Sequence, residues 1–520
     1  MALLDRCRTM LLRFTPVLAI LALQLVAFPV PAGVWVKGAI VGGLTALIAL
    51  GMALTWRSNG VVSFAQGDLG MAPVVLVHLL IVSWGWSWWV AVPSGLVVAA
   101  LLGIVVEISV IRRFRNAPRL LLTVATIGLA QVLAGVAIVL PRLFDEVVLA
   151  PRIEPPFTLD FTIGRVNFNA SEALAITAVP IVVALLAVVL RRSNIGLAAR
   201  AAADSADRAG LFGIPVGRVQ TAVWSFAAVL AFIAVLLRAG VLGLPVGAAL
   251  SLGLLLRALT ALLVGRLTDL PVIAATAVAL GVLELAVAFN SASSAALDPI
   301  LAGVIAVSLL LRGGRARRAT RIGDGDVHSW RSADEVRPIP VVLSRLAPVR
   351  AVRVGGTVAL VAIAVALPYL LPVDRSLKSS ALLIYALLGL SVVVLTGWAG
   401  QLSLGQVALF AIGAAVGAKA TASWGLDLTL GLLLAGLAGA AAAVVIGVPA
   451  LRLRGLELAV VTLAAALATT SWLLNPREFS WVPGQGTRVE RPPLLGRIDI
   501  SSATAIHHLS LAILLLALLA

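Results

Sequence analysis

The chain has 520 residues, of which 61% are hydrophobic and only 12% are charged. Because a typical soluble domain carries about 25% charged residues, this composition excludes a soluble globular protein and indicates a polytopic membrane protein. The formal net charge of +16 comes mainly from arginines in short loops beside apolar runs. Membrane topology explains such arginines better than nucleic-acid binding does, so we expect contacts with membrane lipid and no nucleic-acid partner.

Residue types that support catalysis or metal binding are sparse. The single cysteine, Cys7, excludes a disulfide within the chain, and the four histidines are too scattered for a zinc site. No phosphate-binding loop of the form G-x-x-x-x-G-K-[S/T] occurs in the sequence. Any nucleotide hydrolysis would therefore take place on another chain or on a part outside this sequence, and we expect neither a cofactor nor catalytic residues in the residues given.

Apolar runs separated by polar breaks predict an all-α fold, a polytopic bundle of transmembrane helices. In chain order the predicted spans lie at 14–30, 34–56, 60–83, 86–111, 120–140, 172–190, 219–240, 244–264, 270–289, 297–311, 352–372, 380–398, 404–422, 427–451, 456–474 and 503–520. The runs at 60–83 and 404–422 contain glycines and polar residues. Each is predicted to be broken or re-entrant, which requires that protein or water satisfies the freed backbone groups.

Arginines concentrate in alternate loops, which predicts the orientation of the spans. The loops on one side carry Arg6, Arg8, Arg13, Arg112, Arg113, Arg115, Arg119, Arg191, Arg192, Arg200, Arg208, Arg218 and Arg266. The opposite loops, among them 141–171 and 290–298, are balanced or poor in positive charge. We therefore place the N-terminus on the cytoplasmic side. The first apolar run also has the shape of a signal peptide, but the many spans after it favour an uncleaved first helix.

A polar, arginine-rich segment at 312–351 divides the chain. It predicts a cytoplasmic linker between a first membrane unit at 1–311, with about ten hydrophobic segments, and a second at 352–520, with about six. The simpler interpretation, a solvated basic loop attracted to anionic lipid, is compatible with the linker role and needs no partner.

A short motif, G-x-x-S-x-x-Q, occurs once in each unit, 340 residues apart. Gly60, Ser63 and Gln66 form the first copy, and Gly400, Ser403 and Gln406 form the second. Each copy is followed by a basic turn and then by a helix that carries threonine. The shared order favours two homologous halves, and such repeats around a path at the membrane midplane are typical of transporters.

The serine and glutamine of each motif are three residues apart, so on a helix both side chains would project from one face. Neutral hydrogen-bonding groups on that face suit a path for a small polar solute, and we assign Ser63, Gln66, Ser403 and Gln406 to such a path. Asp68 and the threonines on the following helices, Thr126 and Thr462, complete the candidate set. The alternative is that these groups only join neighbouring helices.

Charged residues inside spans are candidates for function. Glu107 and Arg112 are one turn apart, which favours a structural ion pair. Glu284 and Asp68 could touch a solute. Arg257 has no acidic partner near it in the sequence, and we expect it to reach the inner surface.

The cytoplasmic segment from Gly196 to Pro215 is rich in alanine and predicts a short helix that glycines and a proline terminate. The segment GLAARAAADSADRAGLFGIP resembles the coupling loop in permeases of bacterial ABC importers of the branched-chain amino acid (LIV) type, which has the form R-A-x-x-x-(D/N)-x-x-x-A-x-x-x-G-I. GVVSFAQGDL at 60–69 and APRL with TVATIG at 117–128 resemble the first permease subunit of that family. GWAGQLSLGQ at 397–406 and LRLRGLELAVVT at 451–462 resemble the second.

The resemblance covers nearly the whole chain and implies that two permease subunits are fused in one polypeptide. It implies that Arg200, Ala201, Ala209, Gly213 and Ile214 dock into a groove of an ATPase subunit, which binds the ATP and Mg²⁺. It further implies an extracytoplasmic solute-binding protein as a partner, a place in the bacterial cytoplasmic membrane, and branched-chain or other hydrophobic amino acids as cargo. Urea and short amides are the alternative cargo.

Two features depart from the family pattern. Family members usually carry histidine or a similar polar residue where Gln66 and Gln406 stand, so the contacts to solute are expected to differ. The second unit reaches Ala520 inside an apolar run, where a second coupling loop is expected to begin. This favours a truncated second unit.

Two other classes of protein are alternatives to an importer. An ion-coupled secondary transporter would depend on Asp68 or Glu284 at midplane. A membrane enzyme would need clustered acids, for which Asp145, Glu146, Glu490 and Asp499 are the available residues, and they do not form such a cluster in the sequence.

Overall fold

The computed structural model describes residues 2–114, 117, 119–144, 152–243, 248–290, 294–319, 346–450, 453, 455–484 and 492–519. The chain forms two compact units, Met1–Gly323 and Asp324–Ala520. The helices of the first unit are α1 (Ala2–Ala27), α2 (Ala32–Asn59), α3 (Gln66–Val82), α4 (Trp88–Ser109), α5 (Arg119–Arg142), α6 (Ala170–Arg192), α7 (Asn194–Asp204), α8 (Ala206–Leu211), α9 (Val216–Leu242), α10 (Ala248–Val264), α11 (Leu270–Asn290) and α12 (Leu297–Ala319). Those of the second unit are α13 (Ala347–Leu370), α14 (Val373–Val393), α15 (Gln406–Ala422), α16 (Leu428–Ala450), α17 (Leu456–Ala468) and α18 (Ala503–Leu519).

The prediction of an all-α membrane bundle is confirmed, because a helix lies at each of the sixteen predicted spans. Within the described residues, nine helices are long and apolar enough to cross a bilayer. Helices α14 and α17 each continue into a π-helical turn, at Val394–Trp398 and Thr469–Leu473. The predicted linker 312–351 is helical at both ends, since α12 extends to Ala319 and α13 begins at Ala347, and residues 320–345 lie outside the described part.

Helix α2 occupies the centre of the first unit and packs against α9 and α11. Glycines make the contact with α11 close: a Cβ added to Gly42 would lie 2.6 Å from the carbonyl oxygen of Ala277, and one added to Gly281 would lie 2.2 Å from the backbone nitrogen of Gly42. Dispersion between closely approaching backbones stabilises helix pairs in lipid, where no hydrophobic driving force acts between helices.

Polar contacts at the two ends of the first unit agree with alternating helix directions. At one end, Arg13 forms an ion pair with Asp269, and Arg57 donates to the carbonyl oxygen of Thr268. At the other end, the Lys37 ammonium lies 2.9 Å from the Glu172 carboxylate. Arg13 and Arg57 thus share an end of the unit with the loop between α10 and α11.

A small hairpin interrupts the loop predicted at 141–171. Strands β1 (Phe161–Ile163) and β2 (Val166–Phe168) pair antiparallel, with Phe161 opposite Phe168. The two rings stack with their centroids 5.1 Å apart, and Lys37 lies 5.2 Å above the Phe168 ring. Asn169 then caps α6 through a reciprocal pair of hydrogen bonds with Glu172.

The helices of the second unit are less buried than those of the first. In each of α13, α14 and α16, only 6% of the 18-residue apolar stretch that could cross a membrane is buried. His507 on α18 joins three helices: its ring nitrogens lie 2.8 Å from the Ser379 hydroxyl of α14 and 2.8 Å from the Ala364 carbonyl oxygen of α13. Asp427 accepts a hydrogen bond from the backbone N–H of Gly496 at 3.1 Å, which joins two loops at one end of this unit.

Candidate translocation path and coupling segment

The motif at residues 60–66 is a break between two helices. Gly60 ends α2 with a φ of 66°, a left-handed conformation that glycine adopts at little cost. Residues 61–65 are not helical, and α3 begins at Gln66. The prediction that Ser63 and Gln66 share a helix face is therefore wrong, because Ser63 precedes the helix; Asp68 lies in the first turn of α3 and not in the break itself.

The break is fully enclosed in the first unit. Ser63 and Gln66 are both 0% exposed. The Gln66 amide donates to the carbonyl oxygen of Ala227 on α9 at 2.8 Å. Among the described residues, the Ser63 hydroxyl and the Gln66 amide oxygen have no hydrogen-bond partner. Buried polar atoms without partners are costly, so these two atoms are suited to receive a polar solute or water.

Thr126 on α5 holds the break in place. Its hydroxyl accepts a hydrogen bond from the backbone N–H of Phe64 at 3.3 Å and donates to the carbonyl oxygen of Thr123 at 2.7 Å. Thr126 is 0% exposed, and Asp68, two residues after Gln66, is 5% exposed. Both are buried in the unit, as a role beside the break requires.

The second copy of the motif has the same local structure. Gly400 has a φ of 63°, Ser403 lies in a non-helical segment, and α15 begins at Gln406. The backbone N–H of Leu404 donates to the hydroxyl of Thr462 on α17 at 3.0 Å. The prediction of one helix face is wrong here for the same reason.

The two breaks differ in how far they are enclosed. Ser403 and Gln406 are partly exposed in the second unit, whereas their counterparts in the first unit are buried. The Ser403 hydroxyl accepts a hydrogen bond from the Gly405 backbone at 3.2 Å, and Thr462 is 5% exposed.

Two ion pairs lie inside the first unit. Glu107 is 0% exposed, lies 3.0 Å from the Arg112 guanidinium and accepts a hydrogen bond from the Thr221 hydroxyl at 2.8 Å, so the predicted ion pair is confirmed. The expectation that Arg257 reaches the inner surface is wrong. Arg257 lies 2.8 Å from the Glu284 carboxylate, because α10 packs against α11.

The segment between α6 and α9 folds as two short helices and not as one. Ser193 caps α7 by accepting a hydrogen bond from the Gly196 backbone at 2.9 Å, and Ser205 caps α8 in the same way. Ser205 has extended backbone angles, so the break falls there, before the glycines. Gly213, at a φ of 80°, then turns the chain toward α9.

The five residues assigned to coupling differ in accessibility. Arg200 and Gly213 are exposed, Ala201 and Ile214 are partly exposed, and Ala209 is buried at 4% exposure. The Ala209 side chain is therefore not part of the exposed surface of this segment. Leu211 and Phe212, which the sequence analysis did not single out, are 87% and 85% exposed. Two large apolar residues directly before a Gly-Ile-Pro turn are the signal that would have identified them.

The predicted basic turn in the second unit, at Arg452 and Arg454, lies outside the described residues, as do Asp145, Glu146 and Glu490. Asp499 lies in a surface loop, where its carboxylate accepts a hydrogen bond from the Ser501 backbone at 2.8 Å.

Comparison with known proteins identifies the family. A family model described as branched-chain amino acid transport system, permease component, matches residues 34–311 and 379–520. The LivM permease proteins of Salmonella typhimurium and Escherichia coli are 38% and 37% identical over 146 and 139 residues, which is 28% and 27% of this chain. A probable LivH permease of Methanocaldococcus jannaschii is 26% identical over 203 residues, 38% of this chain. No solved structure matches the chain.

The chain spans 34% and 33% of the length of the two LivM proteins and 63% of that of the LivH protein. The family match nevertheless extends over most of both units, and relatives of two kinds, LivM and LivH, are found. This chain is an integral membrane protein that belongs to the branched-chain amino acid permease family and carries a match to it in each half.

Proposed function

We propose that the chain is the membrane-spanning part of an ATP-driven importer for branched-chain or other hydrophobic amino acids. The observation that carries this proposal is the family match in both halves, at residues 34–311 and 379–520. Relatives named as high-affinity branched-chain amino acid permeases support the choice of cargo.

In this proposal the two helix breaks line the path. The unpartnered oxygens of Ser63 and Gln66 offer hydrogen bonds to a polar solute inside an apolar bundle. The matching positions Ser403 and Gln406 supply a second, more open station. Asp68, Thr126 and Thr462 support the two stations, the threonines by fixing the backbone of each break.

Energy for the movement comes from separate ATPase subunits, which bind ATP and Mg²⁺. Their docking site is the exposed surface of α7, α8 and the following turn, which includes Arg200, Leu211 and Phe212. An extracytoplasmic binding protein delivers the solute to the opposite face. The arginine distribution supports a bacterial cytoplasmic membrane with the N-terminus and the segment at 312–351 on the cytoplasmic side.

Uptake of labelled leucine tests the proposal. The full chain is placed in proteoliposomes together with its ATPases and binding protein, and unlabelled valine, urea and acetamide compete with the leucine. We expect uptake that valine blocks and that requires ATP. Uptake blocked only by urea or acetamide would move the cargo to short amides. Uptake that persists without the ATPases would replace the proposal by an ion-coupled transporter.

A further inference from the structure

Three charged side chains lie inside the first unit, on three consecutive helices. Arg238 lies on α9, Arg257 on α10 and Glu284 on α11. Arg238 is about one turn from the end of α9 at Leu242, and Glu284 is within two turns of the end of α11 at Asn290. Arg238 and Glu284 therefore lie toward the end opposite to the Arg13 and Asp269 pair, and Arg257 lies near the middle of α10.

Two of the three side chains form an ion pair, to which the third does not belong. The Arg257 guanidinium lies 2.8 Å from the Glu284 carboxylate, and each of these side chains is 16% exposed. Arg238 lies close enough to Glu284 and Arg257 to interact electrostatically with both. Within the part of the chain that the structure describes, its Nη1 atom is buried and has no hydrogen-bond partner.

The cluster therefore holds two positive charges and one negative charge. Arginine stays protonated in proteins, so the excess charge cannot be removed by loss of a proton. An uncompensated charge between helices of a membrane protein is expensive, and such residues usually mark a path for a solute or an ion. An anion that accepts N–H hydrogen bonds would balance the charge of these three side chains, and a guanidinium matches the geometry of a carboxylate.

The position of Arg238 on α9 connects it to the buried break. Ala227, whose carbonyl oxygen accepts the hydrogen bond from Gln66, precedes Arg238 by three helical turns on the same face. Ala231, on the same face, packs against Gly70 of α3, where an added Cβ would lie 2.3 Å from the Ala231 carbonyl oxygen. Arg238 thus lies roughly 16 Å along α9 from the Gln66 contact.

We propose that Arg238, held beside the Arg257 and Glu284 pair, binds the carboxylate of the transported solute on its way to the break. This rests on the proposed function for the identity of the solute, but the carboxylate preference follows from the cluster alone. It makes the path selective for amino acids over urea and amides, which carry no anionic group.

Binding is tested first, without the ATPases. The full chain is placed in nanodiscs of phosphatidylcholine, and its melting temperature is measured with isovalerate, leucine, leucinamide or urea. We expect isovalerate and leucine to stabilise the chain and leucinamide and urea to have no effect. The Arg238→Gln variant should lose at least about tenfold in apparent affinity for the carboxylates, and Arg238→Lys should lose less.

Arg142→Gln is the matched control, because Arg142 is an exposed arginine at the end of α5. It should behave as the unmodified chain does. Equal stabilisation by leucine and leucinamide, or an unchanged affinity in Arg238→Gln, would overturn the assignment. Stabilisation by phosphatidylglycerol in the nanodisc and not by isovalerate would assign the cluster to a lipid headgroup instead.

Transport separates this inference from the proposed function. In the leucine uptake assay, Arg238→Gln should raise KM about tenfold or more, and Arg142→Gln should not change it. If the chain does not take up leucine but isovalerate still binds in an Arg238-dependent manner, the cargo assignment fails and the carboxylate site stands. If leucine is taken up with an unchanged KM in Arg238→Gln, the site fails and the proposed function stands.

Discussion

The backbone N–H of Phe64 donates to the hydroxyl of Thr126, and 340 residues later the backbone N–H of Leu404 donates to the hydroxyl of Thr462. Each amide lies in a break between two helices, and each hydroxyl lies on a later helix of the same unit. In both breaks the helix that follows has 17 residues, so it is about 25 Å long and shorter than the hydrocarbon core by itself. The non-helical segment supplies the remaining length, and the threonine compensates one of its free N–H groups.

Removing either hydroxyl should destabilise the corresponding unit. Thr126→Val leaves the Phe64 N–H buried without an acceptor, which costs about 1–3 kcal/mol. Thr462→Val does the same to Leu404. Thr126→Ser and Thr462→Ser retain the hydroxyl and should remain close to the unmodified chain. Thermal unfolding in detergent measures the difference, and equal melting temperatures for the valine and serine variants would contradict this role.

The buried carboxylate of Glu107 depends on Arg112. Arg112→Gln leaves Glu107 with the Thr221 hydroxyl as its remaining partner among the described hydrogen bonds. Because the Arg112 side chain is 46% exposed and partly screened, we expect a loss of about 1–3 kcal/mol and not the full cost of breaking a buried pair. Arg113→Gln, at an exposed neighbouring position, is the control. Unfolding in increasing denaturant reports both, and a loss as large in Arg113→Gln would argue against the pair.

Gln66→Met tests the path in the first unit. The change removes the hydrogen bond to Ala227 and the unpartnered amide oxygen together, so its net effect on stability should remain within about 1 kcal/mol. Uptake of leucine should fall, because the solute loses a hydrogen-bonding group in the apolar bundle. Gln131→Met, at an exposed position of α5, should leave uptake unchanged. Equal uptake by the two variants would exclude Gln66 from the path.

Leu211 and Phe212 test the coupling surface. Because these side chains are 87% and 85% exposed, Leu211→Glu and Phe212→Glu should not change the melting temperature. Both should reduce copurification of the ATPase subunits, as should Arg200→Glu and Gly213→Arg. Leu159→Glu, in a loop at the opposite end, is the control. Normal copurification in all four variants would remove the docking assignment.

Asp427 gives the second unit a dependence on pH. Its hydrogen bond with the Thr429 side chain, and further bonds from the backbones of Gly496, Thr429 and Leu495, hold the pKa of Asp427 below its ordinary value of 3.8. A lowered folded-state pKa contributes stability that is present above the unfolded-state pKa and is lost as the pH falls through the folded-state pKa.

The melting temperature should therefore fall between pH 5 and about pH 3, and the fall should be smaller in Asp427→Asn. Thr429→Val should also reduce the fall, because it removes the largest cause of the lowered pKa. A pH dependence that is identical in the three proteins would show that the loop contact does not stabilise the unit.

The sequence by itself determined the helices, since a run of about 20 apolar residues has no other stable form in lipid. It also located both breaks, because glycine and polar residues interrupt the apolar runs at the same offset in each half. The pairing of Glu107 with Arg112 was also predicted from the sequence; the two residues are five apart, and Arg112 lies in the 3₁₀ turn Ile111–Phe114 that follows α4.

Only the tertiary structure decided which groups meet across helices. The Arg257 and Glu284 pair and the hydrogen bond from Phe64 to Thr126 each join residues that are far apart in the sequence. Packing also leaves the Nη1 atom of Arg238 buried without a hydrogen-bond partner among the described residues. Periodicity shows which face of a helix is apolar, but it does not say which neighbour that face contacts. Packing also decided that α3 begins at Gln66 and leaves Ser63 outside the helix. The reason is that the Thr126 hydroxyl compensates the Phe64 N–H in the break.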